Sequence, residues 1–235
     1  MKKWVEIMMP VMLFATVLYF CVFAVLTHRS AQTAAMQPGG TTVVLDAGHG
    51  GEDGGAVAPS GVPESQINLE IVQKISDLLR LYGQSPILTR QEDVSLHDSD
   101  ADSLRKKKVS DLKNRVELIE SVPDATLVSI HQNTYPDPAC RGTQVFYAST
   151  ADSQPLAELL QTTIRTALQP ENSRTAKPIS KGVYLMNHIS CPAALVECGF
   201  LTNGEEAALL QSDEYQRKLS LILTAALLTQ NIDSQ

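Results

Sequence analysis

The sequence contains no C-x-x-C pair, so its four cysteines exclude a zinc ribbon or a thioredoxin-type redox motif. Cys21 lies in an apolar segment, and the three that remain imply no disulfide framework. Basic residues are also scarce. Nineteen Lys and Arg stand against 26 Asp and Glu, a net charge of -7, so the clustered cations that grip a phosphate backbone are missing. Nucleic acid is therefore not expected as a partner. Gly-Lys-Ser/Thr occurs nowhere, which excludes a P-loop. Apart from a polar Ser30–Gly40 stretch there is no low-complexity tract, no internal repeat and no second domain boundary. What the 235 residues do supply is 43% hydrophobic and 19% charged composition, enough for the packed core of one medium domain plus an appendage.

The appendage is N-terminal. Ile7–Leu26 is a run of twenty residues without charge, about the length a helix needs to cross a bilayer. Lys2 and Lys3 precede it, and Arg29 is the only basic residue between it and Lys74, which places the N-terminus in the cytoplasm and the remainder outside. A cleaved signal peptide is the alternative, with Thr33-Ala34-Ala35 as a mediocre cleavage site. The expected organisation is a membrane anchor over 1–28, a linker over 29–40 and a folded domain over 41–232.

Beyond Gly40, short apolar runs alternate with amphipathic stretches, which predicts a single α/β domain with a central mixed, mainly parallel sheet of about six strands flanked by helices. Candidate strands are Thr42–Asp46, Pro86–Arg90, Thr126–His131, Thr143–Tyr147, Val183–Met186 and Ala193–Glu197. Ile67, Ile71, Ile75, Leu78 and Tyr82 fall at helical spacing, with Ser65 as N-cap and Gly83 just past the end. Further helices are expected at Asp111–Glu120, Pro155–Leu168 and Glu214–Gln230.

In open α/β sheets, ligands gather beyond the carboxyl ends of the strands. Three candidate strands end on ionisable groups there: Asp46 running into a loop with five glycines around His49, then His131, then Glu197. The glycine loop fails as a dinucleotide site, since Asp53 stands where the fingerprint needs glycine, and Glu52 and Asp53 would repel phosphate. Glycines around a histidine instead let the backbone fold closely beneath a metal or substrate. Two histidines and one carboxylate leave a tetrahedral position of Zn²⁺ open for water, and His49, Glu64 and His131 supply that set, with Glu197 as a free carboxylate to move protons. Separations of 15, 67 and 66 residues match no compact motif. By spacing alone, an ordinary loop histidine and a satisfied core histidine explain the pattern as well.

At these residues the sequence resembles the zinc-dependent N-acetylmuramoyl-L-alanine amidases. The resemblance is carried by Leu45-Asp46-x-Gly48-His49-Gly50-Gly51-x-Asp53-x-Gly55-Ala56, Glu64 before a helix, Thr89-Arg90, Ser129-Ile130-His131-x-Asn133 and Val196-Glu197-x-Gly199-Phe200-Leu201-x-Asn203, in order across Thr42–Gln230. It implies one zinc per chain on His49, Glu64 and His131, Glu197 as the catalytic carboxylate, and peptidoglycan as substrate, cut between the muramic acid lactyl group and L-alanine. The basic run Arg105–Lys108 and the Gly182–Met186 stretch resemble the short amidases that prepare spore cortex. An activating protein partner is a further expectation, with no identity assigned to it. Ala47 replaces a frequent proline, and Cys198 a usual aliphatic residue. A cysteine nucleophile is the rival at Cys198, yet strand alternation sends its side chain to the face opposite Glu197. His28, His97 and His188 read as surface histidines, Arg105–Lys108 as a solvated helix approach or a contact for an anionic polymer, and Arg174 as structural or as a grip on a substrate carboxylate. The rival functions are a zinc carboxypeptidase or endopeptidase of the stem peptide and a catalytically silent glycan-binding domain.

If Ile7–Leu26 is an uncleaved anchor, cell fractionation should find the intact chain with the membranes. A soluble protein beginning near Met36 would replace the anchor with a cleaved signal.

Overall fold

The computed structural model describes residues 41–233. The expected anchor and linker lie outside them. Among the described residues no helix is long and apolar enough to cross a membrane.

Six strands form one sheet: β1 (Thr42–Ala47), β2 (Ile87–Leu88), β3 (Ala125–Asn133), β4 (Gln144–Tyr147), β5 (Lys177–Pro178) and β6 (Ala193–Phe200), in the order β2-β1-β3-β6-β4-β5. The neighbours β2, β1, β3 and β6 run parallel, β4 runs against β6, and β5 runs with β4. This is the mixed, mainly parallel sheet that the alternating pattern predicts. The helices are α1 (Glu64–Leu81), α2 (Leu104–Glu120), α3 (Ser153–Ala167), α4 (Tyr184–Asn187), α5 (Gly204–Leu210) and α6 (Asp213–Asp233).

Both faces of the sheet are covered, which is why its strands are apolar on both sides. One core gathers Ile67, Ile71, Ile75 and Leu79 of α1, Leu156, Leu160 and Ile164 of α3, and Leu219, Leu223 and Leu227 of α6 against the sheet. The smaller core opposite joins Val44, Leu127 and Leu195 to Ile119 of α2 and to Leu185 and Met186 of α4.

Several local expectations shift. Val183–Met186 is not a strand: Tyr184–Asn187 is one helical turn, and the remaining strand is Lys177–Pro178. A four-residue apolar run fits either period, and here Asn187 Nδ2 closes the turn by donating to the carbonyls of Val183 at 2.6 Å and Ser180 at 2.9 Å. Helix α1 starts before Ser65, with Pro63 at the N-cap, because the first free N–H groups are taken by the preceding loop: Glu64 donates to Ala56 O at 2.7 Å and Ser65 to Gly54 O at 3.0 Å. Its last turn buries Leu79 while Tyr82 lies exposed, and Gly83, at φ 79°, ends it as expected. Helix α2 begins at Leu104, so the basic run occupies its first turns and does not precede it. Helix α5 was not expected. Its signal is Asn203, whose side chain accepts from the N–H groups of Glu205 and Glu206.

A buried polar post stands at the carboxyl end of β1. Asp46 Oδ1 accepts from Thr89 Oγ1 at 2.8 Å and from Arg115 Nη1 at 2.6 Å, and its Oδ2 accepts from Ser129 Oγ at 2.6 Å. Arg115, itself buried, also donates to Ala47 O at 2.9 Å and His49 O at 2.7 Å, and its Nε pairs with Asp111 at 2.8 Å. Arg90 adds bonds to the carbonyls of Ala47, Gly48 and Ser65. Burial alone would raise the Asp46 carboxyl, but Arg115, with the hydroxyls of Ser129 and Thr89 and the nearby His131, holds it at about 2.

A carboxyl depressed in the folded state stabilises above its unfolded pKa of about 3.9 and ceases to do so as pH falls toward 2. Removing only Arg115 leaves Asp46 buried and unpaired. Arg115→Gln should therefore cost about 3–5 kcal/mol in urea unfolding at pH 7. Its deficit against wild type should narrow at pH 4, because the stranded Asp46 can then be buried as a neutral acid.

Candidate metal centre

The loop leaving β1 makes the site. His49 adopts φ 63°, a left-handed conformation rarely used by a residue with a Cβ. Its carbonyl is held there by Arg115, so the strain, on the order of 1–3 kcal/mol, is over-determined by the surrounding contacts. Glu64 arrives as the first residue of α1, whose start is bonded to the same loop. His131 comes from the end of β3, in parallel register with β1.

These three side chains converge. Glu64 Oε1 lies 3.0 Å from His131 Nδ1 and 3.4 Å from His49 Nε2, and one ligand atom from each residue falls within 4.8 Å of the others. The imidazoles meet edge to face, with centroids 5.1 Å apart. A tetrahedral ion with bonds of about 2.0–2.1 Å spaces its ligand atoms about 3.3–3.4 Å apart, so the donor types and their spacing fit a zinc-sized ion. Glu64 is further fixed by the N–H of Gln132 on Oε1 and of Ala56 on Oε2, each at 3.0 Å. Burial works to raise its carboxyl, but the two histidines draw it well below the usual range. Burial likewise works against a proton on His49, and Glu64 and Asp53 outweigh it, raising that pKa.

Glu197 sits one strand over, paired in register with His131. Its Oε2 is buried and meets no hydrogen-bond partner. Burial pushes its pKa up to about 7, against the pull of His131 and His49 and with the charge of Glu64 adding to the rise. A carboxylate kept off the ion-pairing network, beside two histidines and a glutamate, is placed to exchange a proton at neutral pH.

Residues 43–229 match the N-acetylmuramoyl-L-alanine amidase family. The chain belongs to this family. It is 33% identical over 219 residues to the germination-specific N-acetylmuramoyl-L-alanine amidase of Bacillus subtilis (strain 168), covering 93% of this chain and 90% of that protein. Among solved structures, the CwlD amidase from Clostridioides difficile, in complex with the GerS lipoprotein, is 34% identical with a TM-score of 0.78 over 83% of this chain and 100% of that one. AmiC2 of Nostoc punctiforme is 30% identical with a TM-score of 0.68 over 81% of this chain and 96% of that one.

The remaining candidates lie around this candidate site or away from it. Cys198 is buried on the other face of β6, and burial raises its thiol pKa, so it is no nucleophile. The basic run is only partly solvated: Lys107 Nζ pairs with Glu52 at 2.5 Å and Lys108 Nζ with Asp53 at 3.2 Å, both in the His49 loop. Asp53 also lies 3.1 Å from His49 Nδ1, though without the alignment of a hydrogen bond. His97 is half-buried beside Ser95, and His188 is exposed and stacked on Tyr184; neither reaches the site. His28 lies outside the described residues. Cys140 and Cys191 are free thiols, and Arg174 stands over the Phe200 ring. Sequence reasoning gave no role to Asp46, Arg90 or Arg115, which hold the loop from behind, nor to Asn68, which bonds Gly48 O at 3.1 Å.

Two glycines show how tightly the site is built. A Cβ on Gly48 would enter the His131 ring, and one on Gly55, at φ 68°, would come within 2.6 Å of Glu64 Oε2. Gly48→Ala should therefore displace His131 and weaken divalent-metal affinity about tenfold or more, measured by competition with a chelating dye. Gly204→Ala, whose Cβ would meet nothing within 4 Å, should bind as wild type.

Proposed function

We propose that this amidase holds one zinc ion on His49, Glu64 and His131 and hydrolyses the amide between the lactyl group of N-acetylmuramic acid and L-alanine of the stem peptide, with Glu197 as general base. The observation that carries the reading is the convergence of His49, Glu64 and His131 next to a carboxylate oxygen of Glu197 that no protein group occupies. When bound, zinc makes a water acidic enough to ionise near neutral pH and polarises a carbonyl. Glu197 would take a proton from a water adding to the lactyl carbonyl and return it to the L-alanine nitrogen as the C–N bond breaks. Glu64 keeps both imidazoles aligned and supplies negative charge, while Arg115 and Arg90, through loop carbonyls, keep His49 in place.

The likeness to a germination-specific relative supports a role on spore cortex. The charge-free Ile7–Leu26 segment supports tethering at the membrane with the catalytic domain outside. A lipoprotein partner, as in the Clostridioides difficile complex, suits a chain held at such a surface.

Ligand and base are separable by mutation. Glu197→Gln keeps shape and should lower turnover about 10²–10⁴-fold while zinc stays close to one per chain by elemental analysis. Glu64→Gln should instead lose zinc, and excess zinc should restore part of its activity. Equal rescue of both variants, scored as L-alanine amino termini released from purified peptidoglycan, would overturn these two roles.

A further inference from the structure

The imidazole of His49 has two nitrogens, and only one belongs to the cluster of candidate ligands. Its Nε2 faces Glu64 Oε1 across 3.4 Å. Its Nδ1 is turned the other way, is buried, and among the described residues meets no aligned hydrogen-bond partner. A neutral imidazole that gives one nitrogen to a cation carries its proton on the other, and a buried N–H without an acceptor costs about 1–3 kcal/mol. One oxygen stands against it: Asp53 Oδ2 lies 3.1 Å away, off the line of a hydrogen bond. The separation is already that of a hydrogen bond, so what is missing is orientation.

Asp53 is held at that distance by its backbone and by both carboxylate oxygens. Gly50 N–H donates to Asp53 O at 2.8 Å and Asp53 N–H to Gly50 O at 3.2 Å, which pins Asp53 to the residue that follows His49. Its Oδ1 accepts from the N–H of Gly55 at 3.3 Å, and its Oδ2 lies 3.2 Å from Lys108 Nζ. Lys108, Asp111 and Arg115 are spaced at i, i+3 and i+7 along α2 and so share one helix face. Arg115 grips the His49 carbonyl, and Lys108 reaches the carboxylate behind the His49 ring. That face thus acts on the backbone and on the side chain of the same residue by separate contacts.

We propose that Asp53 is a positioning residue for the metal ion: its carboxylate accepts the Nδ1–H of His49 when Nε2 serves as ligand, and Lys108 fixes that carboxylate from α2. This rests on the metal reading above. The pairing sets which nitrogen carries the proton, fixes the plane of the ring and makes Nε2 a better electron donor. Lys108 and Asp53 are partly exposed, so their own ion pair contributes little to stability. Its effect is on the direction in which the Asp53 oxygen points.

The test reads zinc affinity of the full-length protein, by competition with a chelating dye, and the state of the His49 ring, by NMR of isotope-labelled histidine in the zinc-loaded protein. Asp53→Ala should weaken zinc binding about 10- to 100-fold. Asp53→Asn, whose amide oxygen can still accept, should recover part of that loss. Lys108→Gln should weaken binding severalfold, and Lys108→Arg should not. In wild type the His49 Nδ1–H proton should exchange slowly and resonate where a proton shared with a carboxylate does; in Asp53→Ala it should lose both features while the His131 ring signals keep their positions. Glu52→Gln controls for tethering of the loop. It removes the neighbouring Lys107–Glu52 pair, which joins the same loop to the same helix, and should leave zinc affinity within about twofold. Wild-type affinity in Asp53→Ala, or a loss in Glu52→Gln as large as that in Asp53→Ala, overturns the positioning role. If Asp53→Ala fails to fold, wild-type affinity in both Asp53→Asn and Lys108→Gln overturns it. Stoichiometric zinc retained by a His49→Ala, His131→Ala double variant overturns the metal reading and this proposal with it. Zinc lost from that double variant but bound at wild-type strength by Asp53→Ala overturns the positioning role alone.

Discussion

The contact on which most of this structure depends is the one between the Asp46 carboxylate and the Arg115 guanidinium. Each is buried, and each would be costly without the other. Together they fasten β1, the strand end at Thr89, β3 through Ser129, and α2 at a single point. Arg115 then spends its remaining donors on the carbonyls of Ala47 and His49. A loop whose carbonyls are gripped from below cannot drift, so its one histidine faces the partners that other elements bring. The same residue that stabilises the fold therefore sets the backbone of the loop that carries His49, and the two properties are difficult to separate by mutation.

The sheet divides labour between its faces. The α1, α3 and α6 side is a continuous apolar core. On the other side, Leu127, Leu195 and Phe146 pack below, while His131, Glu197 and Gln144 follow on the same face at the catalytic end. Alternation along β6 gives Glu197 to the site and Cys198 to the core. One strand thus presents a carboxylate to the candidate site and buries a thiol in the core by the same pleat.

Much of this was legible in the sequence, for reasons that can be named. Ile67, Ile71 and Ile75 recur at helical spacing, so α1 is readable, and apolar runs ending on Asp46, His131 and Glu197 mark strands with chemistry at their ends. What period could not resolve was short: Val183–Met186 is too brief to separate a turn of helix from a strand, and β5 has only two residues. The convergence of His49, Glu64 and His131 was an inference from chemistry and family resemblance, since separations of 15 and 67 residues say nothing about proximity. The role of Arg115 was invisible: its bond to Asp46 spans 69 residues, and an arginine in a helix with many charges carries no local sign of being buried.

The direction of β4 has a consequence for how such an enzyme can diversify. Because β4 and β5 run against the other four strands, the catalytic edge is built from the carboxyl ends of β1, β2, β3 and β6 and the amino ends of β4 and β5. His49 and His131 lie at the first group of strand ends, with Glu64 on α1 and Arg115 on α2 beside them, whereas the loop before β5 is tied to the second. Insertions or substitutions between α3 and β5 can thus reshape that end of the sheet without passing through the elements that carry the candidate metal ligands. The antiparallel strand acts as a seam: the candidate ligands meet on one side of it, and the loops on the other side can change length without moving them.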